Sequence, residues 1–192
     1  MRYANGTVYD HDTIRTQHAA NGSPIYKTVN TSGRSAYGPG DFSVWSNGQR
    51  VLVARTSNDT TSYAARRRGY FRRGTHDEFV AGPLSSVETR VVARGQRNGR
   101  DVYRVVATEV TNPAMFESLW RNPRNVTLRA VIDSRGLVRE YRLRYGATLN
   151  GVPVRVHDRV RYTDLGNTIV ERPAWYDEAI ANVSTAAPTT VG

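Results

Sequence analysis

The chain has 192 residues, 39% of them hydrophobic and 23% charged, and its net charge of +10 is nearly all arginine, with Lys27 the single lysine. That length suits one folded domain with a real core. The absence of cysteine excludes disulfides and thiolate metal sites, and no run approaches the roughly 18 apolar residues of a membrane-spanning helix.

In chain order, the opening Arg2-Tyr3-Ala4-Asn5-Gly6-Thr7-Val8 already reads as strand and turn. No signal peptide follows Met1, so an upstream segment is expected ahead of it. Asn-Gly then recurs at Asn21-Gly22, Asn47-Gly48, Asn98-Gly99 and Asn150-Gly151. It is the strongest short hairpin signal, because both residues tolerate positive φ. Phe42 to Trp45 turns through Asn47-Gly48 into Arg50 to Val53, and Val87 to Ala93 turns through Asn98-Gly99 into Val102 to Val110. Val126 to Ile132 turns at Asp133-Ser134-Arg135-Gly136 into Leu137 to Leu149, which turns at Asn150-Gly151 into Val152 to Tyr162. Arg66 to Pro83 has no clear period and reads as a long loop. Two short helices are expected, Pro113–Trp120 and Pro173–Ile180, each with Pro at its first position and an aromatic stripe. The tail 184–192 lacks an apolar pattern and reads as disordered.

Period-two alternation is strict in the last two strands. Leu137, Tyr141, Leu143, Tyr145 and Leu149 alternate with Glu140, Arg142, Arg144 and Thr148, while Val152, Val154, Val156, Val160 and Tyr162 alternate with Arg155, His157, Arg159 and Arg161. One face is apolar and the other basic, as in an antiparallel sheet with one solvated side. Asp158 falls in the apolar row, which marks either a bulge that shifts parity or a carboxylate at a cavity mouth. The expected fold is mainly β (α+β): an antiparallel up-and-down meander with two or so short helices, in one β-rich domain over residues 1–183.

Two features carry candidate chemistry. Arg66, Arg67, Arg68, Arg72 and Arg73 surround Tyr70 and Phe71, a pattern suited to gripping phosphates while the rings stack or dip into lipid. The arginine-lined sheet face (Arg142, Arg144, Arg155, Arg159, Arg161) reads first as a solvated face paired with scattered acids, and second as another anionic surface. Asp10-His11-Asp12 and His76-Asp77-Glu78 bring ligand-type groups together without the i, i+4 spacing of a helical metal site. No nucleophile elbow, phosphate-binding Gly-Lys loop or dinucleotide fingerprint occurs. The residues therefore point to a binding protein with no enzymatic activity, no cofactor and no metal. Acceptor sequons at Asn5, Asn21, Asn30, Asn58, Asn125 and Asn182 favour an exported chain.

The segment Val160-Arg161-Tyr162-Thr163-Asp164-Leu165-Gly166-Asn167-Thr168-Ile169-Val170-Glu171-Arg172-Pro173-Ala174-Trp175-Tyr176 resembles the closing motif of an uncharacterised family of haloarchaeal exported lipoproteins. Val131 to Val138, the Val44-Trp45-Ser46-Asn47-Gly48 hairpin and the opening hairpin fit the same family. More distantly, that family is similar to periplasmic lipoprotein carriers and mycobacterial lipid-carrier lipoproteins, whose curved half-barrels hold acyl chains. The resemblance implies a curved half-barrel preceded by a first helix and a signal segment, in an extracellular or cell-surface domain that is membrane-anchored in its full-length form through that N-terminal segment. A lipid-like apolar ligand would lie in the concave face, on Tyr141, Leu143, Tyr145, Val154, Val156, Val160 and Tyr162. The alternative expectation is a polyanion or nucleic-acid binder acting through Arg66–Arg73.

Overall fold

A computed structural model of the chain describes residues 1–35, 37–67, 77–117 and 121–185. The first elements in chain order are strands β1 (Arg2–Tyr3), β2 (Asp10–His18), β3 (Ile25–Gly33), β4 (Asp41–Ser46), β5 (Val51–Ser57) and β6 (Thr60–Arg66). Helix α1 (Asp77–Ser85), strands β7 (Val87–Arg97) and β8 (Arg100–Val110) and helix α2 (Pro113–Glu117) follow. Strands β9 (Arg121–Asp133), β10 (Val138–Leu149) and β11 (Val152–Arg161) and helix α3 (Tyr176–Thr185) complete the order.

The fold is mainly β, built from two antiparallel sheets. A single meander is expected from the sequence; instead the strands make two, because Asp10 to Arg66 forms a complete meander of its own. Met1–Tyr9 with Gly74–Thr163 form one compact unit, and Asp10–Arg73 with Asp164–Gly192 form the other. The first unit holds a six-stranded sheet in the order β1-β11-β10-β9-β8-β7, and the second a five-stranded sheet in the order β2-β3-β4-β5-β6.

The strongest turn signals produce the expected hairpins. Asn98 (φ 52°) and Gly99 (φ 70°) link β7 to β8, and Asn150 (φ 49°) and Gly151 (φ 82°) link β10 to β11, both in the positive-φ geometry that matches strand twist. The β5–β6 hairpin turns instead on Asn58 (φ 49°) and Asp59 (φ 58°). Two more elements differ from expectation. Helix α1 lies in the stretch read as loop: Gly82 and Pro83 look like helix breakers, and Val80 and Leu84 pack the helix against the core. Pro173-Ala174-Trp175 is a turn, with Tyr176 N–H donating to the Pro173 carbonyl at 2.9 Å, so α3 begins three residues later than expected and runs to Thr185. The expected continuation of α2 over Leu119 and Trp120 lies outside the described residues.

In the first unit the core forms on the inner face of the sheet. Val105, Leu128, Ala130, Tyr141, Leu143, Tyr145, Val154 and Val156 cluster there with Val80 of α1 and Phe116 of α2. Phe116 meets Tyr145 edge-on, with ring centroids 6.0 Å apart. The β9–β10 turn is tied by Asp133, whose carboxylate accepts from the Arg135 and Leu137 N–H groups at 3.0 and 3.2 Å and from the Arg139 guanidinium at 3.0 and 2.9 Å.

In the second unit Trp45 packs against Tyr176 of α3, and Trp175 contacts Tyr26 and Tyr63. The Tyr63 hydroxyl donates to Glu178 at 2.8 Å. On the sheet's other face Val44, Val51 and Val53 pack with Phe42. Gly40 sits at φ +78°, where a Cβ would run into the Thr56 carbonyl oxygen and approach the Ser57 Cβ at 3.0 Å. Strain and backbone clash then act together. Gly40→Ala is expected to destabilise by about 2 kcal/mol, read as a lower urea midpoint; an unchanged midpoint would refute this packing.

Candidate anion-binding face

The two faces of the six-stranded sheet have opposite chemistry. On the inner face, five of the seven expected groove residues are core. Tyr141 and Leu143 are 1% exposed, and Tyr145, Val154 and Val156 are also buried. Val160 and Tyr162 are half-buried. Tyr141 and Tyr145, expected to line an open groove, are core instead. A sequence reading that counts only two short helices finds too little cover for this face, and α1 supplies part of what was missing.

Asp158 stays in the inner row. The β10–β11 register runs unbroken from Glu140↔Arg161 to Leu149↔Val152, with Asp158 opposite Leu143, which rules out the parity-shifting bulge. Asp158 itself is exposed. Burial pushes the phenol pKa values of Tyr141 and Tyr145 far up, and the Asp158 charge adds to this. Neither buried hydroxyl has a hydrogen-bond partner among the described residues. An unpartnered buried hydroxyl costs stability, so Tyr141→Phe is expected to hold or raise stability by up to about 1 kcal/mol. A clear loss in the unfolding midpoint would show that the hydroxyl is satisfied in solution.

The outer face is a lattice of arginines. Cross-strand partners share a face, so the register builds it row by row. The first row is Arg104, Val131, Glu140 and Arg161, and the second is Val106, Arg129, Arg142 and Arg159. The third is Thr127, Arg144 and His157, and the fourth is Arg124, Gly146, Arg155 and Arg2. Rows lie about 7 Å apart along a strand, and neighbours within a row about 5 Å. These rows hold no Phe, Tyr or Trp and one carboxylate.

That carboxylate neutralises one end only. Glu140 lies 2.7 Å from Arg142, 3.2 Å from Arg159 and 3.7 Å from Arg161. Burial pushes its pKa up, but the three guanidinium groups outweigh this and hold it below the usual carboxylate range. The other end has no such acid. Arg124, Arg144 and Arg155 make no ion pair or side-chain hydrogen bond among the described residues. With His157 they line an open cleft of about 470 Å³, together with Asn125 and Gly146. Partial burial, then Arg144, Arg142 and Arg159, push the His157 pKa down against the opposing charge of Asp158.

Of the expected arginine segment, Arg66 ends β6 and Arg67 follows it, both exposed; Arg68, Arg72 and Arg73 lie outside the described residues. Sequence parity identifies Arg142, Arg144, Arg155, Arg159 and Arg161 as one face but misses Arg124. Counted back from buried Leu128, Arg124 has inner parity. A register shift between Arg144 and Gly146, with Asn125 at φ 53°, turns it outward. All six sequon asparagines are exposed.

The chain is thus a mainly-β protein of two antiparallel meanders, one of which turns a basic face to solvent. No family model, curated protein or solved structure matches it.

Proposed function

We propose that this protein binds a polyanion on the arginine face of its six-stranded sheet and catalyses no reaction there. The observation that carries the reading is the set of three arginines, Arg124, Arg144 and Arg155, that line one cleft with no acid among the described residues to neutralise them. Like charges held together cost free energy, and an anion that enters removes that cost. Guanidinium groups also bond phosphate and sulfate bidentately. An apolar ligand on the inner face, as the resemblance implies, needs room that Tyr141, Leu143, Tyr145, Val154 and Val156 fill, so the outer face has the stronger claim. With no Phe, Tyr or Trp among its rows, that face suits charged groups rather than stacked bases. The resemblance to exported proteins adds an extracellular setting, where phosphorylated or sulfated surface polymers are available partners.

The test is binding to a sulfated polysaccharide across salt. If about four arginines release counter-ions, the logarithm of affinity should fall with the logarithm of salt at a slope of about −3 to −4. A slope near zero would refute the reading.

A further inference from the structure

The arginine face is not uniform, and one concavity in it has the dimensions and lining of a small-ligand subsite. Gly146 forms the floor, where a side chain would otherwise stand. A Cβ there would meet the Arg124 side chain at 3.1 Å from Cγ and 3.2 Å from Nε, so Arg124 lies across the glycine. Arg144 and His157 face each other in one row, and Arg155 stands beside Gly146 in the next. The cleft volume of about 470 Å³ lies within the range of small-ligand sites and far exceeds a single water. Ala4 and Pro153 complete one wall, held by the Ala4 N–H donating to the Pro153 carbonyl at 3.3 Å.

We propose that this cleft is a site for one tetrahedral oxyanion group, a phosphate or sulfate ester of the polyanion, gripped by Arg124, Arg144 and Arg155, and that His157 takes up a proton when the group binds. The inference rests on the polyanion reading and adds to it a place, a chemical group and a coupling to pH.

The proton coupling follows from the neighbours of His157. Arg155 and Arg159 flank it on β11, Arg144 and Arg142 face it from β10, and Arg124 of β9 closes the cleft. Asp158, on the opposite face, supplies the opposing charge, and Glu140 is occupied by Arg142, Arg159 and Arg161. Partial burial, together with this surrounding positive charge, keeps the imidazole neutral to lower pH than usual. A bound dianion cancels that field, so the bound-state pKa lies above the free-state one. By linkage, binding is tightest below the free-state pKa, and the gain is lost as pH rises through the bound-state value.

The experiment follows the His157 ring by NMR while sodium sulfate replaces sodium chloride at constant ionic strength. Sulfate does not titrate near neutral pH, whereas phosphate does, so sulfate serves for the pH series and inorganic phosphate for a second arm. Both anions are expected to shift the ring signals saturably, and the tighter one names the group. The His157 pKa should rise by about half a unit or more, while His11 and His18 of the other unit stay still. His157→Gln should keep sulfate binding but lose its pH dependence, and Arg144→Gln should weaken binding about tenfold or more. A His157 signal that does not move, or moves only as His11 does, overturns the subsite. If the sulfated polysaccharide still binds with a steep salt slope in that case, the subsite alone fails. If the polysaccharide does not bind either, the polyanion reading fails with it.

Discussion

Reversing two charges in the cleft, in an Arg144→Glu/Arg155→Glu variant, is expected to lower affinity for a sulfated polysaccharide by at least about 100-fold at moderate salt. Hydrogen bonds to charged groups contribute roughly 1.5–3 kcal/mol each, so losing two contacts is worth about two decades or more, and the new carboxylates repel the ligand. Both arginines are exposed, and neither holds an acid, so the fold should be stable to within about 0.5 kcal/mol. The control is Arg97→Glu/Arg100→Glu at the exposed tip of the β7–β8 hairpin, which changes net charge equally. It should weaken binding only a few-fold. Equal losses in the two variants, measured by calorimetry, would mean that net charge and not this face governs binding.

The second large effect is on stability. Asp133 is buried, and burial alone would raise its pKa. The N–H groups of Arg135 and Leu137 and the Arg139 guanidinium outweigh that and hold its carboxyl below the ordinary range. A depressed folded-state pKa stabilises at every pH above the unfolded value, and this contribution disappears as pH falls through the folded one. Asp133→Ala leaves the Arg139 charge and two backbone donors without their partner. The thermal midpoint at neutral pH should drop by roughly 5–15 °C, and the difference from the native chain should shrink below about pH 4. A drop that persists undiminished in acid would place the effect in packing and not in the charge.

How much of this was legible in the sequence varied with the physics of each element. Asn98-Gly99 and Asn150-Gly151 specify their hairpins locally, and β10 and β11 alternate strictly, so strand, face and register follow from adjacent residues. Strand β6 was hidden because its turn, Asn58-Asp59, reaches positive φ at both residues without a glycine. Helix α1 was hidden because tertiary packing of Val80 and Leu84, not propensity, holds a segment that contains Gly82 and Pro83. Without α1 the inner face reads as an open groove, because two short helices give too little cover for the sheet. For the site, the arginines of β10 and β11 declare their face by parity, but Arg124 reaches it only through a register shift that no local pattern announces. The lack of an acid beside it is likewise a property of the assembled rows, since Glu140, only four residues from Arg144 in sequence, is taken up by three other arginines.

The central claim is that the face bearing Arg124, Arg144 and Arg155 is where the polyanion binds. The most direct measurement is NMR of the arginine side-chain Nε–H groups during titration with a sulfated oligosaccharide. The resonances of these three residues should shift together and saturably, while those of Arg66 and Arg67 stay near their starting positions. Saturable shifts at Arg66 and Arg67, with Arg124, Arg144 and Arg155 unmoved, would contradict the account.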